Sequence, residues 1–266
     1  MRIEPGQVAV ITGGASGIGY GLAEALAARG ARIVVSDIRE DGVAGAETSL
    51  RKTGAEVIGV VTDVCVEASV RELADRTLAA YDRVDLVCNN AGVVCPDAPM
   101  WEQEAATWER LIGVKVLGVV HGVQVFAPLL IDRGAGHFLN TASAGGLAPL
   151  PGMAPYAGTM HAVVGLTETL DVELKRVTPA LGATVLCPGR VETALRQNSA
   201  TLGAIRLPAG APPPASDGDG ALSPREVAEA AIEAIEAGRV HVAPGPTVPG
   251  RARARVEALL ADIGNP

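Results

Sequence analysis

Residues 8–19 read Val8-Ala9-Val10-Ile11-Thr12-Gly13-Gly14-Ala15-Ser16-Gly17-Ile18-Gly19. Val8 to Thr12 is short, apolar and β-branched, so it reads as a strand buried on both faces. The glycines that follow let the backbone turn sharply and come close to a bound group, and a helix-period segment spanning 17–29 begins inside them. Backbone amide donors and the positive end of a helix dipole then meet at one point, which suits a pyrophosphate. A glycine-rich turn alone is weak evidence. Here a strand precedes it, a helix follows it, and Asp37 ends the next strand, where a carboxylate accepts hydrogen bonds from an adenosine ribose. A 2'-phosphate would face that carboxylate, so the pattern favours NAD(H) over NADP(H), with Arg39 nearby as the residue that speaks for the phosphate.

Outward from this turn the same alternation repeats. Strands are expected at Val8–Thr12, Arg32–Ser36, Glu56–Val61, Val84–Cys88, Gly136–Thr141, Ala183–Leu186 and Val240–Ala243, with helices over 17–29, 40–53, 67–81, 104–131, 155–177 and 224–237. Near-continuous apolar strands separated by helices imply a parallel sheet covered on both faces. The fold class is therefore α/β, a single domain over 1–266 built on a doubly wound parallel seven-stranded sheet flanked by helices. The composition agrees: the 266 residues are 48% hydrophobic but only 3% aromatic, so the core is made of Ala, Val, Leu and Ile in tight layers. A net charge of -8 with no Lys/Arg run disfavours nucleic acid and anionic membrane as partners. Residues 134–167 hold no Asp, Glu, Lys or Arg, but Gly, Pro, Ser, Asn and Thr interrupt them, and no clean 18-residue apolar stretch is read in the chain. Met1 to Gln7 lacks the apolar core of a signal peptide, and the four cysteines at 65, 88, 95 and 187 form no C-x-x-C pair. They are expected to be reduced and mostly buried, in a cytoplasmic protein. The Gly/Pro-rich segment around 194–220 is expected to be a mobile lid, and Arg251 to Ile263 a short helix that packs or makes an oligomer contact.

Further motifs sit at the expected strand ends: Asp63-Val64 after the third, Asn89-Asn90-Ala91-Gly92 after the fourth, Ser143 after the fifth with Tyr156 thirteen residues on, and Pro188-Gly189-Arg190-Val191-Glu192-Thr193 after the sixth. With the T-G-x-x-x-G-x-G pattern over 12–19, the chain resembles the short-chain dehydrogenase/reductase family along essentially its whole length, which implies a Rossmann-type fold. The resemblance implies that Gly13, Ser16, Gly17, Ile18 and Gly19 cradle the pyrophosphate and Asp37 with Ile38 the adenosine ribose. By the same resemblance Asp63 and Val64 flank adenine, Asn90, Ala91 and Gly92 line the middle of the cofactor, and Pro188, Gly189, Val191 and Thr193 hold the nicotinamide end. Part of the Asn89–Gly92 motif also ties the central sheet together. Tyr156 is implied as the acid/base that also touches the cofactor, and Ser143 as the group that polarises the substrate oxygen, because carbonyl reduction needs a proton donor where charge develops and alcohol oxidation needs a base for the same proton.

Two positions depart from the family. Its Tyr-x-x-x-Lys motif appears as Tyr156-Ala157-Gly158-Thr159-Met160, so the lysine that anchors the nicotinamide ribose and lowers the Tyr pKa is missing. Its helix asparagine, in a Val-Asn-x-x-Gly context, is replaced by Lys115 in Val114-Lys115-Val116-Leu117-Gly118. Two explanations stand open: Lys115 extends into the space left at Met160 and is catalytic, or the protein binds NAD(H) and has lost activity. His161 is five residues from Tyr156, about 140° around a helix, and faces elsewhere.

The reading that follows is an NAD(H)-dependent oxidoreductase interconverting a secondary alcohol and a ketone on a small to medium apolar molecule. Its pocket is expected from Val94 to Pro96, Gly145 to Leu150, Met153 and the lid. The alternatives are an NAD(H)-binding sensor or scaffold, supported by Met160 and Lys115, and redox-neutral chemistry on the same fold, which the intact turn with Asp37 counts against. No metal site is expected. By resemblance the two long helices pair with copies of themselves in a homodimer or homotetramer, and their apolar faces (Leu111, Val114, Leu117, Val119, Val125; Val163, Leu166, Leu170) suit both that role and burial on their own sheet.

Overall fold

The computed structural model describes residues 1–206 and 220–264. In chain order the elements are β1 (Val8–Thr12), α1 (Gly17–Ala27), β2 (Arg32–Asp37), α2 (Glu40–Lys52), β3 (Val57–Val61), α3 (Glu67–Tyr81), β4 (Leu86–Asn89), α4 (Ala105–Leu111), α5 (Gly118–Arg133), β5 (Gly136–Thr141), α6 (Ala154–Val177), β6 (Leu181–Leu186), α7 (Leu195–Thr201), α8 (Pro224–Glu236), β7 (His241–Val242) and α9 (Val248–Ile263). The seven strands form one sheet in the order β3-β2-β1-β4-β5-β6-β7, and every pairing is parallel. The strand order reverses between β1 and β4, and in such sheets the crevice at the carboxyl ends of those two strands takes the ligand.

Alternate strand residues feed two cores. Ala9, Ile11, Ile33, Val35, Leu86, Cys88 and Leu139 face one side with Leu22, Leu26, Val227, Ile232 and Ile235 from α1 and α8. Val8, Val10, Val34, Val87 and Phe138 face the other, under Leu73 of α3, Phe126 and Leu130 of α5, and Leu170 and Leu174 of α6. Each fully buried aliphatic side chain contributes roughly 1.5–3 kcal/mol relative to an exposed one, so neither face can be left uncovered. Ser223 starts α8 with a capping box, its Oγ accepting from the Glu226 amide while the Glu226 carboxylate accepts from the Ser223 amide.

Several expectations need correction. The helix expected over 104–131 is two α-helices joined by a π-helical stretch, Ile112–Leu117, which carries Lys115. Together they span Ala105–Arg133 and are long and apolar enough to cross a membrane by length and composition, contrary to the reading that no such stretch exists. Val119, Val125, Phe126 and Leu130 are buried inside the α/β core, which accounts for part of the apolar composition, while Ile112, Leu117 and Ile131 are exposed. Strand β7 is only two residues long because it pairs with β6 through Val185 and Leu186 alone. The cysteines agree with the expectation of mostly buried, unpaired thiols: Cys88, Cys95 and Cys187 are buried and free, and Cys65 is free and exposed. The tail helix begins earlier than expected, at Val248. Part of the expected lid, 207–219, lies outside the described residues; its first part is α7.

Candidate active site

Gly13 takes φ +63° and Gly17 φ +53°, a region that side-chain-bearing residues rarely adopt. A Cβ on Gly13 would sit 2.8 Å from Ala91 Cα and one on Gly17 3.0 Å from Thr193 Cγ2. The turn is pinned by the Gly14 amide, which donates to Ser36 O (2.8 Å), and by Asn90, whose Nδ2 donates to Thr12 O (3.2 Å). Thr12 Oγ1 accepts from the amides of Asn90 and Ala91 (3.0 and 3.2 Å). Asn89 points the other way: its Nδ2 donates to Asn140 Oδ1 (2.9 Å), tying β4 to β5, while Asn140 Nδ2 donates to Thr167 Oγ1 (3.0 Å) on α6.

One cavity runs along the carboxyl ends of the strands. It is lined by Gly13, Ser16, Gly17, Ile18, Asp37, Ile38, Asp63, Val64, Asn90, Ala91, Gly92, Lys115, Ser143, Tyr156, Pro188, Gly189, Val191 and Thr193, so the structure brings these sequence-selected residues to one place. Gly19 is the exception: it is buried in α1, where a Cβ would strike the Gly13 carbonyl oxygen and Asn90 Nδ2, so it sets the packing of helix on turn and does not line the cavity. Val94 to Pro96, Gly145 to Leu150 and Met153 are also absent from the lining. Instead Val93, Cys95 and Leu111, with Val114, Met153, Leu202 and Ala204, form an apolar cluster that includes the Tyr156 ring. Sequence reasoning missed Arg39, Thr62, Val93, Val114, Thr141 and Ala142 as lining residues, of which only Arg39 carried any signal, whereas Leu195, Asn198 and Leu202 come from the segment expected to line the pocket as a lid.

At the adenosine end Asp37 is 9% exposed, and its Oδ1 accepts from the Arg39 amide (3.1 Å) and Nε (3.3 Å). Arg39 Nη1 also donates to Asn198 Oδ1 (3.3 Å), and Asn198 Nδ2 donates to Ser16 Oγ (3.1 Å). Helix α7 is thereby held across the turn, and Ser199 Oγ secures it further by accepting from the Val94 amide (3.1 Å). At the other end Ser143 Oγ accepts from the Gly145 amide (3.2 Å), and its side chain lies near enough to the Tyr156 hydroxyl to lower that group's pKa. Burial raises the Tyr156 pKa above that of a free phenol, and the Ser143 contact opposes the shift. Met160, one turn beyond Tyr156, is fully buried among Val119, Ala142, Val163, Val164, Val185 and Cys187. His161 Nδ1 is 2.9 Å from Ala157 O and does not line the cavity.

Lys115 is 5% exposed, and its Nζ donates to Ala91 O and Thr141 O, both at 3.4 Å. Burial lowers its pKa from 10.5 to about 8. Thr141 Oγ1, at the same strand end, is buried with no hydrogen-bond partner. Among the described residues no group of His, Cys, Asp and Glu is arranged to hold a metal ion.

A family model described as short chain dehydrogenase matches residues 7–202. The chain is 37% identical over 244 residues to 1-deoxy-11-beta-hydroxypentalenate dehydrogenase of Streptomyces avermitilis, covering 91% of this chain and 85% of that one. It superimposes with a TM-score of 0.88 on a short chain dehydrogenase/reductase from Burkholderia phymatum in complex with NAD, at 38% identity and coverage of 98% of this chain and 97% of that one. An alcohol dehydrogenase from the archaeon Thermococcus sibiricus complexed with 5-hydroxy-NADP superimposes with a TM-score of 0.76, at 28% identity, over 90% of this chain and 96% of that one.

Proposed function

The chain belongs to the short-chain dehydrogenase family of oxidoreductases, and from that premise we propose that it interconverts a secondary alcohol and a ketone on a small to medium apolar molecule, using NAD(H). The observation that carries this reading is the single cavity that joins the Gly13–Ile18 turn and Asp37 to the Ser143–Tyr156 pair. The residues present fit a dinucleotide: two glycines in left-handed conformations remove side chains from the floor, and a buried carboxylate waits at the far end. When bound, the nicotinamide accepts or supplies the hydride.

Tyr156 holds the proton. In reduction its neutral hydroxyl donates to the carbonyl oxygen as charge develops there, and in oxidation the phenolate takes the alcohol proton. Ser143 Oγ, which lines the same cavity as Tyr156, donates to the same substrate oxygen and fixes it in line. Asp37 accepts from the adenosine ribose hydroxyls, and its carboxylate repels a 2'-phosphate, which supports NAD(H) as the partner. Val93, Val114 and Leu202, which line the cavity and pack with the Tyr156 ring in one apolar cluster, offer an uncharged substrate a dry wall. Leu117 and Leu166 are 43% and 39% exposed on the long helices, which supports a dimer or tetramer built on those faces. Buried, unpaired thiols at 88, 95 and 187 support a reducing, cytoplasmic setting.

The test is NADH formation with a panel of apolar secondary alcohols and NADH consumption with the matching ketones, for the wild-type chain and Tyr156→Phe. The expected result is turnover that falls roughly 10²- to 10⁴-fold in the variant while NADH affinity stays within about twofold. Turnover unchanged by Tyr156→Phe would overturn the assignment.

A further inference from the structure

Lys115 is a buried ammonium that the fold does not need. Its three donors meet only two carbonyl oxygens, each at the long distance of 3.4 Å, and no ion pair among the described residues includes it. Burying a charge without a counter-charge is unfavourable unless something repeatedly supplies the missing partner. The side chain is nevertheless held in place from two sides. The π-helical winding of Ile112–Leu117 carries position 115 over the ends of β4 and β5. Opposite it stands Gly92, where a Cβ would lie 2.6 Å from Lys115 Nζ and 3.2 Å from its Cδ, so the ammonium occupies the volume that any larger residue would fill.

Lys115 and Thr141 line the same cavity as Ser143 and Tyr156, and the end of β5 that carries Thr141 lies three strands from the end of β2 that carries Asp37. Met160 cannot serve there, because its side chain is sealed in an apolar cluster and carries no donor.

We propose that Lys115 is a positioning residue that holds the nicotinamide ribose beside Tyr156, delivering from the helix before β5 the cation that position 160 lacks. The inference rests on the reading of the cavity as a nicotinamide dinucleotide site. With the ribose hydroxyls as its third partner the ammonium is satisfied, and its charge then favours the Tyr156 phenolate during oxidation.

The experiment compares Lys115→Met with the wild-type chain in two binding titrations and one pH profile. NADH binding is read by fluorescence and ADP binding by calorimetry. The expected result is a Kd for NADH raised roughly 10- to 100-fold, the loss typical of a hydrogen bond from a charged donor, with the Kd for ADP within about twofold, because ADP ends at its second phosphate. NADH affinity unchanged in the variant, or NADH and ADP weakened equally, overturns the proposal, the second outcome marking Lys115 as a residue that only shapes the cavity. Gly92→Ala, which keeps the lysine and displaces it, should reproduce the selective loss of NADH. In turnover the alkaline rise of alcohol oxidation should move to higher pH in Lys115→Met; an unmoved limb would count against the charge acting on Tyr156. If the wild-type chain binds NADH and turns over no alcohol or ketone, the proposed reaction falls while the NADH/ADP contrast still decides the role of Lys115.

Discussion

A buried ammonium held for a ligand should cost the free protein stability, and replacing it should show how much. Lys115 is 5% exposed, and burial lowers its pKa from 10.5 to about 8. At about 1.4 kcal/mol per pH unit, that drop corresponds to about 3 kcal/mol of destabilisation wherever the unfolded chain holds a proton that the folded chain holds less well. The penalty is therefore complete below about pH 8, shrinks between 8 and 10.5, and vanishes once the lysine is neutral in both states. Lys115→Met keeps the unbranched stem and removes the charge, at the expense of the two long hydrogen bonds to Ala91 O and Thr141 O. A net gain of about 1–3 kcal/mol at pH 7 is expected, and none at or above pH 10.5. Urea unfolding of both proteins without cofactor, at pH 7 and at several values up to 10.5, measures the difference directly. A variant less stable than wild type at pH 7, or an advantage that does not shrink as the pH rises, would refute the reasoning.

Two further outcomes follow from other parts of the molecule. Asp37→Ser removes the carboxylate that engages Arg39 and frees the guanidinium for a 2'-phosphate, so the ratio of NADH to NADPH affinity should fall by roughly 10- to 100-fold in titrations of both cofactors, and an unchanged ratio would dismiss Asp37 as the discriminating group. Ser223→Ala breaks the capping box of α8, whose Val227, Ala231 and Ile232 pack on α1, and should cost about 1 kcal/mol in denaturant melts while leaving KM for NADH unchanged.

What was legible in the sequence was what local backbone chemistry dictates. A strand followed by Gly13 and Gly17 has few conformations open to it, and Asp37 ends β2 while Ser143 follows β5, so the parallel topology brings both to one edge without any help from side-chain detail; Tyr156, in the first turn of α6, joins them because that helix starts beside the same edge. Gly19 was misjudged by the same logic, since a glycine selected for close packing against Gly13 and Asn90 looks identical in sequence to one selected for close approach to a ligand. Helix α7 was not legible: its seven residues, Leu195–Thr201, show no apolar period, and Asn198 and Ser199 dock it through single hydrogen bonds to Arg39, Ser16 and Val94, far away in the chain. That this segment lines the cavity was expected from its place after β6; that it does so as a helix was not.

The two departures at 115 and 160 illustrate the boundary. The resemblance implies that both residue types are unexpected at these positions, but the direction of Lys115 depends on one π-helical stretch that hydrophobic period cannot reveal, because the residues of 112–117 are apolar apart from the lysine itself. The structure makes the pair self-consistent. Met160 leaves nothing unpaired in its cluster of Val119, Val163, Val164 and Val185, whereas an ammonium there would have to leave an apolar environment to find a partner. Lys115, for its part, is tolerated only because Gly92 leaves room for its head group and two carbonyl oxygens point at it.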